Sequence, residues 1–190
     1  MTTAHHPRST IADVLALPEK PGAELIDGTI FYKAAPNWGH SESQLGTGSW
    51  LRAHFRRDRP GGGPGWWVGL EVDIELAGGA MVRPDISGWR KDRVPEVPRH
   101  ARPCPIAPDW ICEVLSPSNR RYDLIVKSKL YRRAGISHYW VIDPDDKTLT
   151  VHRLTPEGYL TVLTAEGDET VRPEPFGALE VSLATLLGID

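Results

Sequence analysis

The sequence predicts a single α/β domain with a mixed central sheet flanked by helices. Three observations point there. Residues Asp109 to Pro144 read as a strand, a turn, a helix and a second strand, the alternation of an α/β fold. The first of those strands, Trp110-Ile111-Cys112-Glu113-Val114-Leu115, is apolar at both alternating sets of positions, as in a central strand covered on both sides. Stretches 24–32 and 148–164 read as hairpins, which add antiparallel pairs.

The elements follow in order. Residues 1–9 are polar and expected to be loose, with 10–190 forming the domain. Thr10 caps a short helix over 11–17. Glu24 to Tyr32 makes a hairpin, with Asp27-Gly28 as its turn. Asn37 caps a helix reaching about Arg57, although Gly39, Gly46 and Gly48 weaken it. Pro60 to Gly65 is a loop by composition. Two strands follow, 66–76 with a break at Gly69 and 81–89, joined by a turn at Gly78-Gly79. Residues 90–108 are rich in Pro and Arg and show no period, which predicts a long loop. Next come the strand 110–115, a helix from Ser118 as N-cap to Ala134 with Gly135 as C-cap, and a strand over 138–142. A C-terminal hairpin turns at Pro156-Glu157-Gly158, and a short strand over 179–187 leads into a turn of helix.

Composition bounds the function. The 190 residues are 40% hydrophobic and 25% charged, ordinary for a globular domain with one core. There is no apolar segment long enough to span a membrane and no signal-peptide pattern. Two cysteines, Cys104 and Cys112, make neither a metal pattern nor a disulfide framework, so a reducing, cytoplasmic setting fits. The net charge of -3 hides an asymmetry: residues 1–142 hold 19 Lys+Arg against 15 Asp+Glu, and residues 143–190 hold 3 against 10. Basic clusters at 52–59, 90–102 and 120–133 are compatible with a polyanionic substrate, though any one of them reads more readily as a solvated face. The low net charge argues against strong non-specific DNA binding.

Charges in apolar surroundings carry the chemistry. Counting 100° per residue from Asp123 places Leu124, Val126, Leu130, Tyr131 and Ala134 on one arc, with Asp123 and Lys127 in its middle. Desolvating a charge is costly, and the i,i+4 spacing lets this pair offset each other. A plain internal salt bridge would explain it. Glu113 makes that explanation harder: a lone carboxylate in an apolar strand must be neutral, paired or bound to a cation. Asp85 sits similarly, after Arg83-Pro84 and between Val82 and Ile86.

These pieces together resemble the Uma2 family of restriction-endonuclease-like proteins, in the PD-(D/E)XK nuclease superfamily. The matching residues are Glu24-Leu25-Ile26-Asp27-Gly28, His40, Arg83-Pro84-Asp85, Glu113-Val114-Leu115-Ser116-Pro117-Ser118, Asp123 with Lys127 and Tyr131, and Ala134-Gly135 leading to Tyr139-Trp140-Val141-Ile142-Asp143-Pro144. The resemblance covers nearly the whole chain. It implies a restriction-endonuclease-like fold and a metal-dependent endonuclease that hydrolyses DNA. Asp85 matches the PD aspartate and Glu113 the (D/E); Val114 is the X, whose backbone carbonyl would be a metal ligand. Leu115 stands where the superfamily has Lys, and Lys127 on the following helix is the matching lysine. Asp85 and Glu113 would hold Mg²⁺, or Mn²⁺, with waters completing the octahedron. Lys127 would orient the attacking water or offset developing charge, and Asp123 would hold Lys127 in place or take part in a second metal shell.

Glu24 and His40 are additional candidates. Glu24 reads either as a hairpin surface charge or as a further metal-shell carboxylate. His40 reads either as an ordinary helix residue or as a phosphate contact or acid. Glu71, Asp73 and Glu75 alternate on one face and read as solvated. Tyr131, Tyr139 and Trp140 read as core; Trp66, Trp67 and Trp89 as core or interface. Gly61-Gly62-Gly63 lacks the Lys-Ser/Thr of a phosphate loop. A homodimer is compatible with double-strand cutting. Two rivals stand beside the nuclease: a non-catalytic nucleic-acid-binding or assembly module, and metal-free acid/base hydrolysis by the carboxylate pair.

Overall fold

The strands build two main sheets, and a two-stranded pair of Thr170–Val171 with Val181–Ser182, in a computed structural model that describes residues 8–18, 22–56, 65–117 and 120–190. The tail expected over 1–9 lies mostly outside these residues. So do Arg57, the loop residues 60–64 and the Ser118 cap.

The smaller sheet begins with the predicted hairpin, β1 (Ala23–Ile26) and β2 (Thr29–Tyr32). Asp27 and Gly28 both have positive φ, +50° and +79°, as a tight primed turn requires. With β4 (Ile74–Leu76) and β5 (Ala80–Val82) they form the order β2-β1-β5-β4.

The larger sheet contains β3 (Trp66–Leu70), β6 (Ile86–Arg90), β7 (Trp110–Val114), β8 (His138–Asp143), β9 (Thr148–Thr155) and β10 (Gly158–Glu166). Its order is β10-β9-β8-β7-β6-β3. The β7–β8 pair is parallel and the rest antiparallel, so the central sheet is mixed. The crossover from β7 to β8 is helical: a π-helical turn, Tyr122–Lys127, continues as α3 (Ser128–Arg133). The π turn is wider than the α-helix assumed for the wheel. It carries Leu124 out of the expected apolar arc, to 40% exposure.

Two expected strands each divide between the sheets. Residues 66–76 become β3 and β4, and the break is at Glu71, at φ +48°, rather than at Gly69. Residues 81–89 become β5 and β6, interrupted at Arg83-Pro84-Asp85. Pro84 has no N–H for a ladder. Asp85 therefore stands at the joint where the chain passes from the small sheet to the large one.

Both faces of the large sheet are covered. Side chains of β7 alternate: Trp110, Cys112 and Val114 face one core, and Ile111 and Leu115 the other. The first core holds Trp50, Leu51 and Phe55 of α2 (Trp38–Phe55), with Phe176 packed edge-on against Trp110 and Trp140. The second holds Leu130 and Tyr131 of α3, with Ile74 and Val82 from the small sheet. Each fully buried Ile or Leu contributes roughly 1.5–3 kcal/mol. By the same alternation Glu113 points into the second core.

Short helices complete the fold. Thr10 and Asp13 form a reciprocal cap on α1 (Ile11–Leu15), which ends earlier than expected. Asn37 accepts from the His40 N–H at 2.9 Å and starts α2. The C-terminal α4 (Leu183–Leu187) docks on α2. A Cβ at Gly46 would lie 2.6 Å from the Thr185 carbonyl oxygen, so this glycine is a condition of that contact rather than a weakness. Among the described residues, no helix is long and apolar enough to cross a membrane.

Candidate active site

The second core surrounds a cluster of charges. Lys127 is 1% exposed, and its Nζ lies 3.0 Å from Glu113 Oε1, 3.1 Å from Glu24 Oε1 and 3.2 Å from Asp123 Oδ1. Three elements supply those carboxylates: β7, β1 and the π turn. Tyr131 donates to Glu113 Oε1, and the Arg83 N–H donates to Glu24 Oε1 at 2.8 Å. The second oxygens, Glu113 Oε2 and Glu24 Oε2, are buried without a hydrogen-bond partner.

Asp85 anchors a second group beside the first. Its Oδ1 lies 2.7 Å from Lys33 Nζ. Its Oδ2 accepts the Val114 N–H at 2.7 Å and stands 3.3 Å from His40 Nε2. Lys33 also donates to the Arg83 carbonyl at 2.9 Å, and Gln44 donates to the Asp85 carbonyl at 2.9 Å. The first turns of α2 thus lean on the joint between the sheets. A small cavity of about 20 Å³, bordered by Lys33, His40, Asp85, Glu113, Val114 and Asp123, connects the two groups. It has room for about one water molecule.

The electrostatics are unbalanced. Four buried carboxylates, Glu24, Asp85, Glu113 and Asp123, face two ammonium groups, Lys33 and Lys127. Negative charge is in surplus when all four are ionised. Burial pushes the Glu113 carboxyl well above its ordinary range, and the neighbouring Asp85 adds to this against the pull of Lys127. Burial raises Asp123 as well. Asp85 goes the other way: burial alone would raise it, but Lys33 and His40 outweigh burial and hold it below the usual carboxylate range. Burial would lower Lys127, yet the carboxylates of Glu113, Glu24 and Asp123 raise it instead.

The structure brings together all the residues singled out by the sequence: Asp85, Glu113, Val114, Asp123, Lys127, Glu24 and His40. Three readings change. Glu24 is fully buried and is not a hairpin surface charge. Lys127 does not border the cavity but sits beneath its carboxylates. Asp73, expected in solvent, is buried and bridged by Arg83 and Arg102. Lys33 is a site residue that sequence reasoning missed; Tyr131, expected in the core and buried there, also touches Glu113. Tyr131 sits at i+4 from Lys127 and on the same arc, a usable signal. Lys33 carries none: it lies in no periodic pattern, 52 residues from its partner.

Among the described residues, no group of three or more His, Cys, Asp or Glu is spaced to hold a metal. The donor chemistry nevertheless fits a hard cation. Glu113 borders the cavity and keeps one buried oxygen unpartnered. Asp85 faces the same space, and the negative surplus is of the right sign.

Comparisons with known proteins bear on the family and the fold. The sequence model of the Uma2 family, described as "Putative restriction endonuclease", matches residues 11–185. The chain is also similar to a solved structure described as "a putative nuclease belonging to DUF820 from Anabaena variabilis ATCC 29413". The two share 28% sequence identity at a TM-score of 0.75, over 95% of this chain and 98% of that one. No curated protein matches.

Proposed function

This chain belongs to the Uma2 family, and on that premise we propose that it is a metal-dependent endonuclease that hydrolyses DNA phosphodiester bonds. The observation that carries the proposal is the gathering of four buried carboxyl groups against two ammonium groups, around a cavity into which Asp85 and Glu113 both face. Mg²⁺ is the cation we assign, with Mn²⁺ as a substitute. Asp85, Glu113 and the Val114 carbonyl would hold it. When bound, such an ion lowers the pKa of a water and offsets charge on the phosphoryl oxygens.

The protein's own residues do the rest. Lys127 clamps Glu113, Asp123 and Glu24 at 3.0–3.2 Å, fixing the carboxylates before substrate arrives. Tyr131 holds Glu113 Oε1 from the other side, which leaves Oε2 as the free donor atom. His40 borders the cavity within reach of Asp85 and is placed to donate to a phosphate oxygen. Val114 N–H holds Asp85 Oδ2 in register with Glu113.

The test is cleavage of supercoiled plasmid with Mg²⁺ or Mn²⁺, comparing the native protein with Asp85→Ala and Glu113→Ala. Metal-dependent nicking that both substitutions abolish supports the proposal. Nicking that survives EDTA or both substitutions overturns it.

One observation favours a second reading, a non-catalytic nucleic-acid-binding module. Both oxygens of Asp85 already have partners, one of them the Lys33 ammonium. Calorimetry with Mn²⁺ separates the two: a module of this kind shows no binding that depends on Asp85 and Glu113.

A further inference from the structure

A second cleft, of about 340 Å³, lies beside β3 and borders none of the carboxylates described above. Its apolar wall includes Trp67, Val68 and Trp89, and the exposed arginines Arg52, Arg56 and Arg99 also line it. Among the described residues, no Asp or Glu lines it. Among the described residues, no carboxylate pairs with any of these three arginines. Three guanidinium groups gathered on one concave surface, with no counter-charge among the described residues, attract an anion.

The aromatic wall narrows the choice of anion. Trp67 is half-buried, and its Nε1 donates to the Val94 carbonyl at 2.9 Å, which fixes the ring. Lys91 Nζ lies 4.4 Å from the ring centroid and the Arg99 guanidinium 5.7 Å from it. A fixed indole ringed by cations suits a ligand with a flat π-face and a negative group. A nucleotide has both. The volume is within the range of small-ligand sites.

Position ties the cleft to the carboxylates. Helix α2 carries His40 at Asp85 and Arg52 twelve residues later, about 18 Å along the axis. Strand β3 runs between the same two places: Leu70 pairs with Ile86, next to Asp85, and Trp67 pairs with Trp89. A stacked strand rising about 3.4 Å per nucleotide would cover that span in roughly five nucleotides.

We propose that this cleft binds one nucleotide of an unpaired nucleic-acid strand, its base against Trp67 and its phosphate among Arg52, Arg56 and Arg99. The choice of a strand as occupant rests on the nuclease reading. The cleft is then an anchor that holds the strand several nucleotides from the carboxylates.

The test is binding of a fluorescently labelled short single-stranded oligonucleotide, followed by anisotropy in EDTA, so that cleavage plays no part. The native protein is compared with an Arg52→Gln/Arg99→Gln double variant, whose changes are on the surface, and with Trp67→Leu. Inorganic phosphate and a mononucleotide serve as competitors. The expected result is an affinity loss of about tenfold or more in each variant, since one base stack is worth roughly 1–3 kcal/mol. Competition by the mononucleotide should be weaker than by unlabelled oligonucleotide, with none by phosphate at equal concentration. Native-like affinity in the double variant overturns the proposal. Competition by phosphate equal to that by the mononucleotide means an anion site only and overturns it too. A mononucleotide as tight as the oligonucleotide means a free-nucleotide pocket and overturns the strand assignment. A protein that binds through the cleft yet cuts nothing leaves this inference standing while the nuclease reading fails. One that cuts through Asp85 but binds equally in all variants does the reverse.

Discussion

Lys33 Nζ lies 2.7 Å from Asp85 Oδ1, so a side-chain ammonium sits on an oxygen that a divalent ion would use. The contact is 14% exposed on the lysine side and 2% on the aspartate side. It compensates Asp85 when no ion is present, and it competes with an ion when one arrives.

Lys33→Met should therefore act in opposite directions on stability and on metal binding. In EDTA the variant should lose about 1–3 kcal/mol, because a buried charge-assisted contact is removed. Its affinity for Mn²⁺ should rise about tenfold, the equivalent of roughly 1.4 kcal/mol of relieved competition. Urea unfolding and titration calorimetry measure the two. Weaker Mn²⁺ binding in the variant would contradict the competition.

Lys127→Met should be far more damaging. It leaves Glu24, Glu113 and Asp123 facing one another with no cation between them. Removing one partner of a buried ionic network costs about 3–5 kcal/mol, enough to unfold many domains of this size. The midpoint of urea unfolding should fall steeply, and saturating Mn²⁺ should recover part of the loss. A loss below about 1 kcal/mol would mean that the ammonium is not what compensates those carboxylates.

Asp73 should set part of the acid sensitivity. Arg83 Nε reaches its Oδ1 at 2.6 Å, and Arg102 Nε reaches Oδ2 at 2.7 Å. Burial would raise the carboxyl, but the hydrogen bonds from Arg83 and Arg102 outweigh burial and lower it. A carboxyl lowered on folding stabilises the native state above its unfolded pKa of about 3.9, and that contribution is lost as pH falls through the folded value. Asp73→Asn should cost about 1–3 kcal/mol at neutral pH, with the Arg102 share reduced because that side chain is half exposed. The gap between the two proteins should close below about pH 4. A gap that widens there would reverse the sign of the linkage.

Gly46→Ala tests a contact against a propensity. Alanine is the better helix former by about 1 kcal/mol, so an isolated α2 would gain. Here the new Cβ would meet the Thr185 carbonyl oxygen at 2.6 Å and the Gly188 nitrogen at 2.9 Å. We expect a net loss of about 1–3 kcal/mol from overpacking against α4, read by thermal or urea unfolding. A stabilised variant would show that α4 shifts at little cost.

What was legible in the sequence depended on local periodicity. Glu113 stood out because five apolar neighbours surround it in one strand. Asp123 and Lys127 stood out because a helical count placed them among apolar residues. Glu24 did not, since a four-residue strand in a hairpin shows too little pattern to say which face is covered. What buries it is the pairing of β1 with β5, across more than fifty residues. Lys33 was invisible for the same reason. The transfer of strands between sheets was also hidden: Arg83-Pro84-Asp85 read as a strand start within one sheet, when it is the crossing between two. The π turn has no signature that a 3.6-residue period can detect.

That crossing has a consequence for the timing of assembly. Glu24 and Lys33 come from the small sheet and its following loop, Glu113 from the large sheet, Lys127 from the crossover helix, and Asp85 from the bend between sheets. No contiguous fragment holds a working set. A growing chain that has already made Glu24, Lys33 and Asp85 still lacks Glu113 until the seventh strand is inserted, and lacks Lys127 until the crossover winds. The bend thus acts as an assembly interlock: the charge cluster is complete only once both layers have closed on each other.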